Sequence, residues 1–201
     1  MIFSKNQTRI MEIFVSQITK RFSIRGVGKS LYMNNSLAHR TIKPLIKDKL
    51  LIYDELNFLM LNYKENHQEL AYIEHLRSKE FLSKSKNKKL SLFVDEVIDK
   101  FPNQNFVLLL YGSTVLNDKP NDIDILFIIE KTEDIELTEK RLYNVCRKYT
   151  LKLHTLVVSF ESIYEMLITR DQKNIMNEIL NKHIIFYGGE LFYRLIKNGR
   201  R

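Results

Sequence analysis

Hydrophobic side chains recur along this chain with two periods, and the switch between them divides it. Over residues 7–17, Ile10, Met11, Ile13 and Phe14, continued by Ile18, fall on one face of a helix. Residues 23–31 give a second, shorter helix. The polar turn Tyr32-Met33-Asn34-Asn35 follows, with either asparagine able to cap the next element. Residues 36–49 form a third helix, turning Leu37, Ile42, Leu45 and Ile46 inward and Ser36, His39, Arg40 and Lys43 outward. Pro44 lies inside it and is expected to bend it or remove one hydrogen bond. In LLIYDELNFLML two apolar strands flank the turn Asp54-Glu55-Leu56-Asn57, a β-hairpin. A helical pattern over 69–82 runs into RSKEFLSKSKNKKLS, which reads as a helix end or a flexible basic spacer. From residue 90 onward helices and strands alternate. Helices are expected at 92–101, 137–149, 161–169, 171–182 and from Gly189. Strands are expected at 106–111, 122–129 and 151–160, with a short apolar run at 183–187.

Two helices, a turn, a third helix and a hairpin resemble the winged helix-turn-helix family of DNA-binding domains. The resemblance implies a third helix that enters the major groove, with Ser36, His39, Arg40 and Lys43 as the DNA-contacting side chains. Charge has the sign this needs. Residues 1–91 carry 17 Lys and Arg against 8 Asp and Glu, and residues 92–201 carry 15 against 16. A basic half joined to a near-neutral half points to a polyanion partner for the first. A winged helix used for dimerisation or protein contact is the alternative. The expected organisation is a winged helix over 1–65, a helical basic connector over 66–90 and an α/β unit over 91–201.

Several function classes drop out. No apolar run approaches the ~20 residues of a membrane span, so no membrane partner is expected. MIFSKNQTRI has no apolar leader, which gives the expectation of a cytoplasmic protein. Cys146 is the single cysteine, so neither an internal disulfide nor a cysteine zinc cluster can form. With Leu142, Val145 and Tyr149 at helical spacing, it reads as a small core residue. SIRGVGKS, residues 23–30, imitates a phosphate loop. Ser23 replaces its first glycine and polar SQITKRF precedes it, so the strand that such a loop needs is missing. Lys29 is expected at the surface.

The chemistry concentrates in LLLYGSTVLNDKPNDIDILFII, residues 108–129. Residues two apart in a strand share a face, so Asp122 and Asp124 point together while Ile123, Ile125 and Phe127 turn to the core. Adjacent carboxylates repel, and a hard divalent ion reverses that penalty. At the other end, Gly112-Ser113 closes a strand where the backbone can approach a ligand. A helical turn starting there, with the Ser113 hydroxyl, offers donors to phosphate.

GSTVLNDKPNDID resembles the Gly-Ser…Asp-x-Asp signature of the DNA polymerase beta-like nucleotidyltransferases, especially the minimal archaeal and bacterial members. The likeness extends over roughly 90–200 and includes HIIFYGGELFYRLI. It implies a small mixed sheet in an α/β (α+β) fold. Gly112 and Ser113 would hold nucleoside triphosphate phosphates, and Asp122 and Asp124 would be catalytic ligands to Mg²⁺ (or Mn²⁺). Two metals roughly 3.5–4 Å apart would clamp the displaced and attacking oxygens. The implied reaction transfers a nucleotidyl group, AMP in the first instance, to a protein, RNA or small-molecule hydroxyl. A toxin-like protein is a reasonable acceptor, since some minimal members adenylylate partner toxins.

Two departures stand out. Eight residues separate Ser113 from Asp122, where the minimal members carry ten, and Asn117 stands where glycine is common. The family's third carboxylate comes from the neighbouring strand, here LKLHTLVVSF, yet no Asp or Glu occurs over 140–160. His154 and Thr155 are the polar groups there. A winged-helix regulator whose degenerate transferase unit only senses nucleotide is therefore the second expectation, and a protein-interaction scaffold the third.

Overall fold

The computed structural model describes residues 3–102, 104–116, 122–169 and 174–200. It is a mixed α+β fold with two sheets, in agreement with the expectation from sequence. Helices α1 (Lys5–Ser16), α2 (Ile24–Ser30) and α3 (Asn35–Lys47) precede the hairpin β1 (Leu51–Tyr53) and β2 (Leu59–Leu61). Phe22 bridges Leu59, which lays the segment before α2 against the hairpin. Each helix starts on a side-chain cap. Ser4 caps α1 in a capping box with Gln7, Ser23 accepts from the Gly26 amide, and Asn34 accepts from the Leu37 amide. Pro44 remains inside α3, and the Asp48 amide closes the helix end on its carbonyl. The phosphate-loop lookalike is helix α2. Gly28 is there because a Cβ would press on Ala38 Cβ at 3.3 Å and the Met33 carbonyl at 3.2 Å.

Asp54 shapes the hairpin turn. Its Oδ1 accepts from the Leu56 and Phe58 amides at 3.0 and 2.8 Å, and Arg21 Nη1 lies 3.2 Å from Oδ2. Four residues of this hairpin carry apolar side chains in solvent: Ile52, Tyr53, Leu56 and Phe58.

Next come α4 (His67–Ser83) and α5 (Lys88–Lys100), joined by one 3₁₀ turn. Of the two readings of the basic segment, the helix end is the one observed: α4 runs on through Ser83, and α5 starts four residues before the expected helix. The second sheet has the order β5-β4-β3-β6, from β3 (Phe106–Tyr111), β4 (Ile123–Ile129), β5 (Leu153–Ser159) and β6 (His183–Tyr187). β3 is antiparallel to β4 and to β6, and β4 is parallel to β5. The parallel pair requires a crossover, supplied by α6 (Ile135–Cys146). Helices α7 (Phe160–Ile168), α8 (Ile175–Ile179) and α9 (Gly189–Gly199) complete the chain. α8 is shorter than the helix expected over 171–182, whose first residues lie outside the described ones.

Alternation along the strands sends two sets of side chains to two cores. Leu108, Leu110, Ile125 and Phe127 meet α5 and α6 through Phe93, Val97, Leu142 and Val145. Val107, Leu109, Leu126 and Ile128 face the opposite side, with Ile163, Met176, Phe192 and Ile196. That second core does not stop at the connector. It runs on through Leu70 and Ile73 of α4 to Ile10, Phe14, Ile42 and Leu59 of the N-terminal helices and hairpin. The seam is also polar: the Ile18 amide donates to the Leu180 carbonyl at 2.9 Å, and the Thr19 amide and hydroxyl reach Asn181 Oδ1 at 3.1 Å.

α4 carries a buried acid at this junction. Glu74 receives Arg77 Nη1 at 2.5 Å, His183 Nε2 at 3.1 Å and the Tyr193 hydroxyl at 3.0 Å. Arg77 also donates to the His183 carbonyl at 2.9 Å. Burial raises the Glu74 carboxyl, but Arg77 and then His183 outweigh it and hold it below its ordinary value.

Candidate functional site

The Gly-Ser corner begins where β3 runs out. Gly112 takes φ +75°, in the left-handed region, and starts a single 3₁₀ turn over Gly112–Val115. An L-residue resists that φ, and space forbids one as well: a Cβ on Gly112 would lie 2.6 Å from Asp124 Oδ2. The glycine at the corner and the aspartate on the next strand are thus in contact. Ser113 is exposed and Gly112 buried. The Thr114 hydroxyl donates to the Asp122 carbonyl at 2.8 Å, tying the turn to the chain that enters β4.

Asp124 lies within β4, half-buried, but Asp122 stands one residue before the strand rather than inside it. The expected 122–129 strand therefore begins at Ile123. Asn117, where the family favours glycine, lies outside the described residues.

Register places a polar row across the sheet at this end. Asp124 pairs with Tyr111 on β3 and with His154 on β5, and Tyr111 pairs in turn with His183 on β6. Paired residues share a face, so the row runs His154, Asp124, Tyr111, His183 and meets Glu74 at its buried end. His154 Nδ1 is 3.8 Å from Asp124 Oδ1, with its side chain 66% exposed against 28% for the aspartate. Burial raises the Tyr111 phenol, and the charges of Asp124 and then Glu178 raise it further. Glu178, on α8, thus adds its charge to the surroundings of Tyr111. Sequence reasoning missed Tyr111 and Glu178, because nothing local to either reveals a partner across the sheet or on a helix after it.

Among the described residues, no three His, Cys, Asp or Glu side chains converge to hold a metal ion. The chain itself offers a carboxylate in a cradle that a Cβ would fill, with a second two residues earlier. Mg²⁺ is commonly held by one or two carboxylates plus substrate phosphates, so this donor set fits an ion that arrives with a triphosphate. Cys146 has no part in this. Half-buried on α6, its thiol is pushed by burial up to about 11, which leaves it inert.

A second surface lies on the N-terminal unit. Ser36, His39, Arg40 and Lys43 are all exposed on α3, as is Lys47. The four line a groove of about 620 Å³ with Ile24, Ile42, Ile46 and Tyr53. Tyr53 belongs to the hairpin, so helix and wing border one concavity. Lys29 is exposed as well.

No family model matches the chain, and no curated protein matches it. A crystal structure of Thermotoga maritima IclR aligns with it at a TM-score of 0.29 and 11% identity, over 55% of this chain and 40% of that one. No helix among the described residues is long and apolar enough to cross a membrane.

Proposed function

We propose that the chain is a nucleotidyltransferase-fold protein that binds a nucleoside triphosphate with Mg²⁺ and transfers a nucleotidyl group to a hydroxyl. The observation that carries this is the contact between Gly112 and Asp124. A positive-φ glycine ending one strand makes room for a carboxylate heading the next, in the order the Gly-Ser…Asp-x-Asp resemblance requires. The antiparallel β3–β4 pair with parallel β5 beside it supports the same reading.

In this reading Ser113 and the amides of the 3₁₀ turn bind the β- and γ-phosphates, and Asp122 and Asp124 hold the ion. When bound, the ion supplies neutralising charge to the triphosphate and the leaving pyrophosphate. An acceptor oxygen attacks the α-phosphorus in line; the new P–O bond forms as the bond to the β-phosphate oxygen breaks, and pyrophosphate departs. The acceptor is a protein, RNA or small-molecule hydroxyl, a toxin-like protein among them. The N-terminal unit binds DNA through Ser36, His39, Arg40 and Lys43, on a surface with the right charge and shape.

One observation favours a second reading. His154 occupies the place beside Asp124 from which a third carboxylate would come. The chain would then sense nucleotide without turnover and act as a winged-helix regulator.

One experiment separates the two. Incubation with α-³²P-labelled ATP and Mg²⁺ gives labelled protein or released pyrophosphate if transfer occurs, and retained unreacted ATP if the protein only senses it. The paired change Asp122→Asn with Asp124→Asn abolishes Mg²⁺-dependent ATP binding in titration calorimetry. Unchanged affinity in that variant sinks both readings.

A further inference from the structure

The head of β5 lies beside the aspartate corner, and His154 stands there. His154 is the register partner of Asp124, on the same face, and its Nδ1 is 3.8 Å from Asp124 Oδ1. That separation is longer than a hydrogen bond, yet near the spacing of two donors that share one cation. The His154 side chain is 66% exposed, whereas Leu153 before it packs against the core formed with α5 and α6. A solvent-facing histidine aligned on a strand with a carboxylate in a glycine cradle is a nitrogen–oxygen donor pair.

We propose that His154 is a nitrogen ligand to the divalent ion that Asp124 holds, so that the site prefers Mn²⁺ or another borderline ion to Mg²⁺. The inference rests on the nucleotide reading above and adds metal selectivity to it. The physical reason is donor softness. Mg²⁺ takes oxygen almost exclusively, while imidazole suits the later first-row ions, whose affinity for a mixed nitrogen–oxygen site rises along the series. Phosphate oxygens complete the sphere of the ion that Asp124 and His154 share.

The test uses the full chain with Mn²⁺ and α,β-methylene-ATP, which cannot turn over. Pulsed electron paramagnetic resonance on the bound Mn²⁺ is expected to show a histidine nitrogen coupling, shifted by ¹⁵N-histidine labelling and lost in His154→Ala. Calorimetry is expected to show Mn²⁺ affinity in the ternary complex falling roughly tenfold or more in His154→Ala, and Mg²⁺ gaining on Mn²⁺ in His154→Asp. A far-ultraviolet spectrum matching the unsubstituted protein guards against misfolding, which is not expected for an exposed side chain. If Mn²⁺ and nucleotide bind, and Asp124→Asn abolishes that binding, but the nitrogen coupling is absent or survives in His154→Ala, the inference fails alone. If the unsubstituted chain binds neither ion with nucleotide, the nucleotide reading fails and takes this inference with it.

Discussion

Glu74→Gln removes one charge from a buried cluster and leaves nearly the same shape. The glutamate is 1% exposed and its partner Arg77 10%, so the arginine that remains has little water to turn to. Removing one partner of a buried ion pair costs about 3–5 kcal/mol, because the other charge is left uncompensated. In a chain of this size each kcal/mol moves the melting temperature by about 2–4 °C, so a drop of about 6–20 °C is expected. Its pH dependence has a fixed sign. The folded carboxyl titrates below its ordinary 4.5, so the folded state favours the ionised form. The Glu74 contribution is complete above pH 4.5 and disappears as pH falls through the folded value. Urea unfolding of both proteins from pH 3 to pH 8 measures this directly. The gap between them should narrow as pH falls below 4.5. A neutral-pH loss no larger than that of an exposed pair, about 1 kcal/mol, refutes the account. A gap that widens as pH falls below 4.5 refutes it too.

Gly112→Ala is expected to weaken ATP–Mg²⁺ binding and to lower stability together. A left-handed alanine costs roughly 1–2 kcal/mol, and the new Cβ displaces the Asp124 carboxylate from a 2.6 Å approach; calorimetry with unchanged affinity contradicts the cradle. Arg40→Ala with Lys43→Ala is expected to reduce the slope of log affinity against log salt for a random-sequence duplex by roughly 1.8, about 0.9 per lost phosphate contact. An unaltered slope removes α3 from the DNA surface.

Most of the architecture was legible because local patterns carried it. The strand at 106–111 was read to the residue, and the α3 surface was read with Ser36, His39, Arg40 and Lys43 outward, since a helical face declares itself within two turns. The helix of the connector was legible over 69–82, but its burial was not. α4 buries Glu74 and Ser78 on the same side as Leu70 and Ile73. Two polar side chains there erase the apolar stripe, and the groups that satisfy Glu74 are His183 and Tyr193, more than a hundred positions later. The candidate site divides the same way. Gly112, Ser113, Asp122 and Asp124 were visible as a motif, whereas Tyr111 and Glu178 need the sheet register and the placement of α8. The glycines of α2 were separable from a phosphate loop because no strand preceded them, and Gly28 fits its close approach to Ala38.

The hydrophobic interior that continues from the hairpin through α4 into the sheet alters what can be cut from this molecule. Severing the chain near residue 65 would part α1 from α4, which pack together in that core, and would break the hydrogen bonds from Ile18 to Leu180 and from Thr19 to Asn181. Each fragment would display a greasy wound instead of a finished surface. Engineering that exchanges the N-terminal helices and hairpin must therefore recut both sides of that joint, and a single melting transition is expected of the full chain.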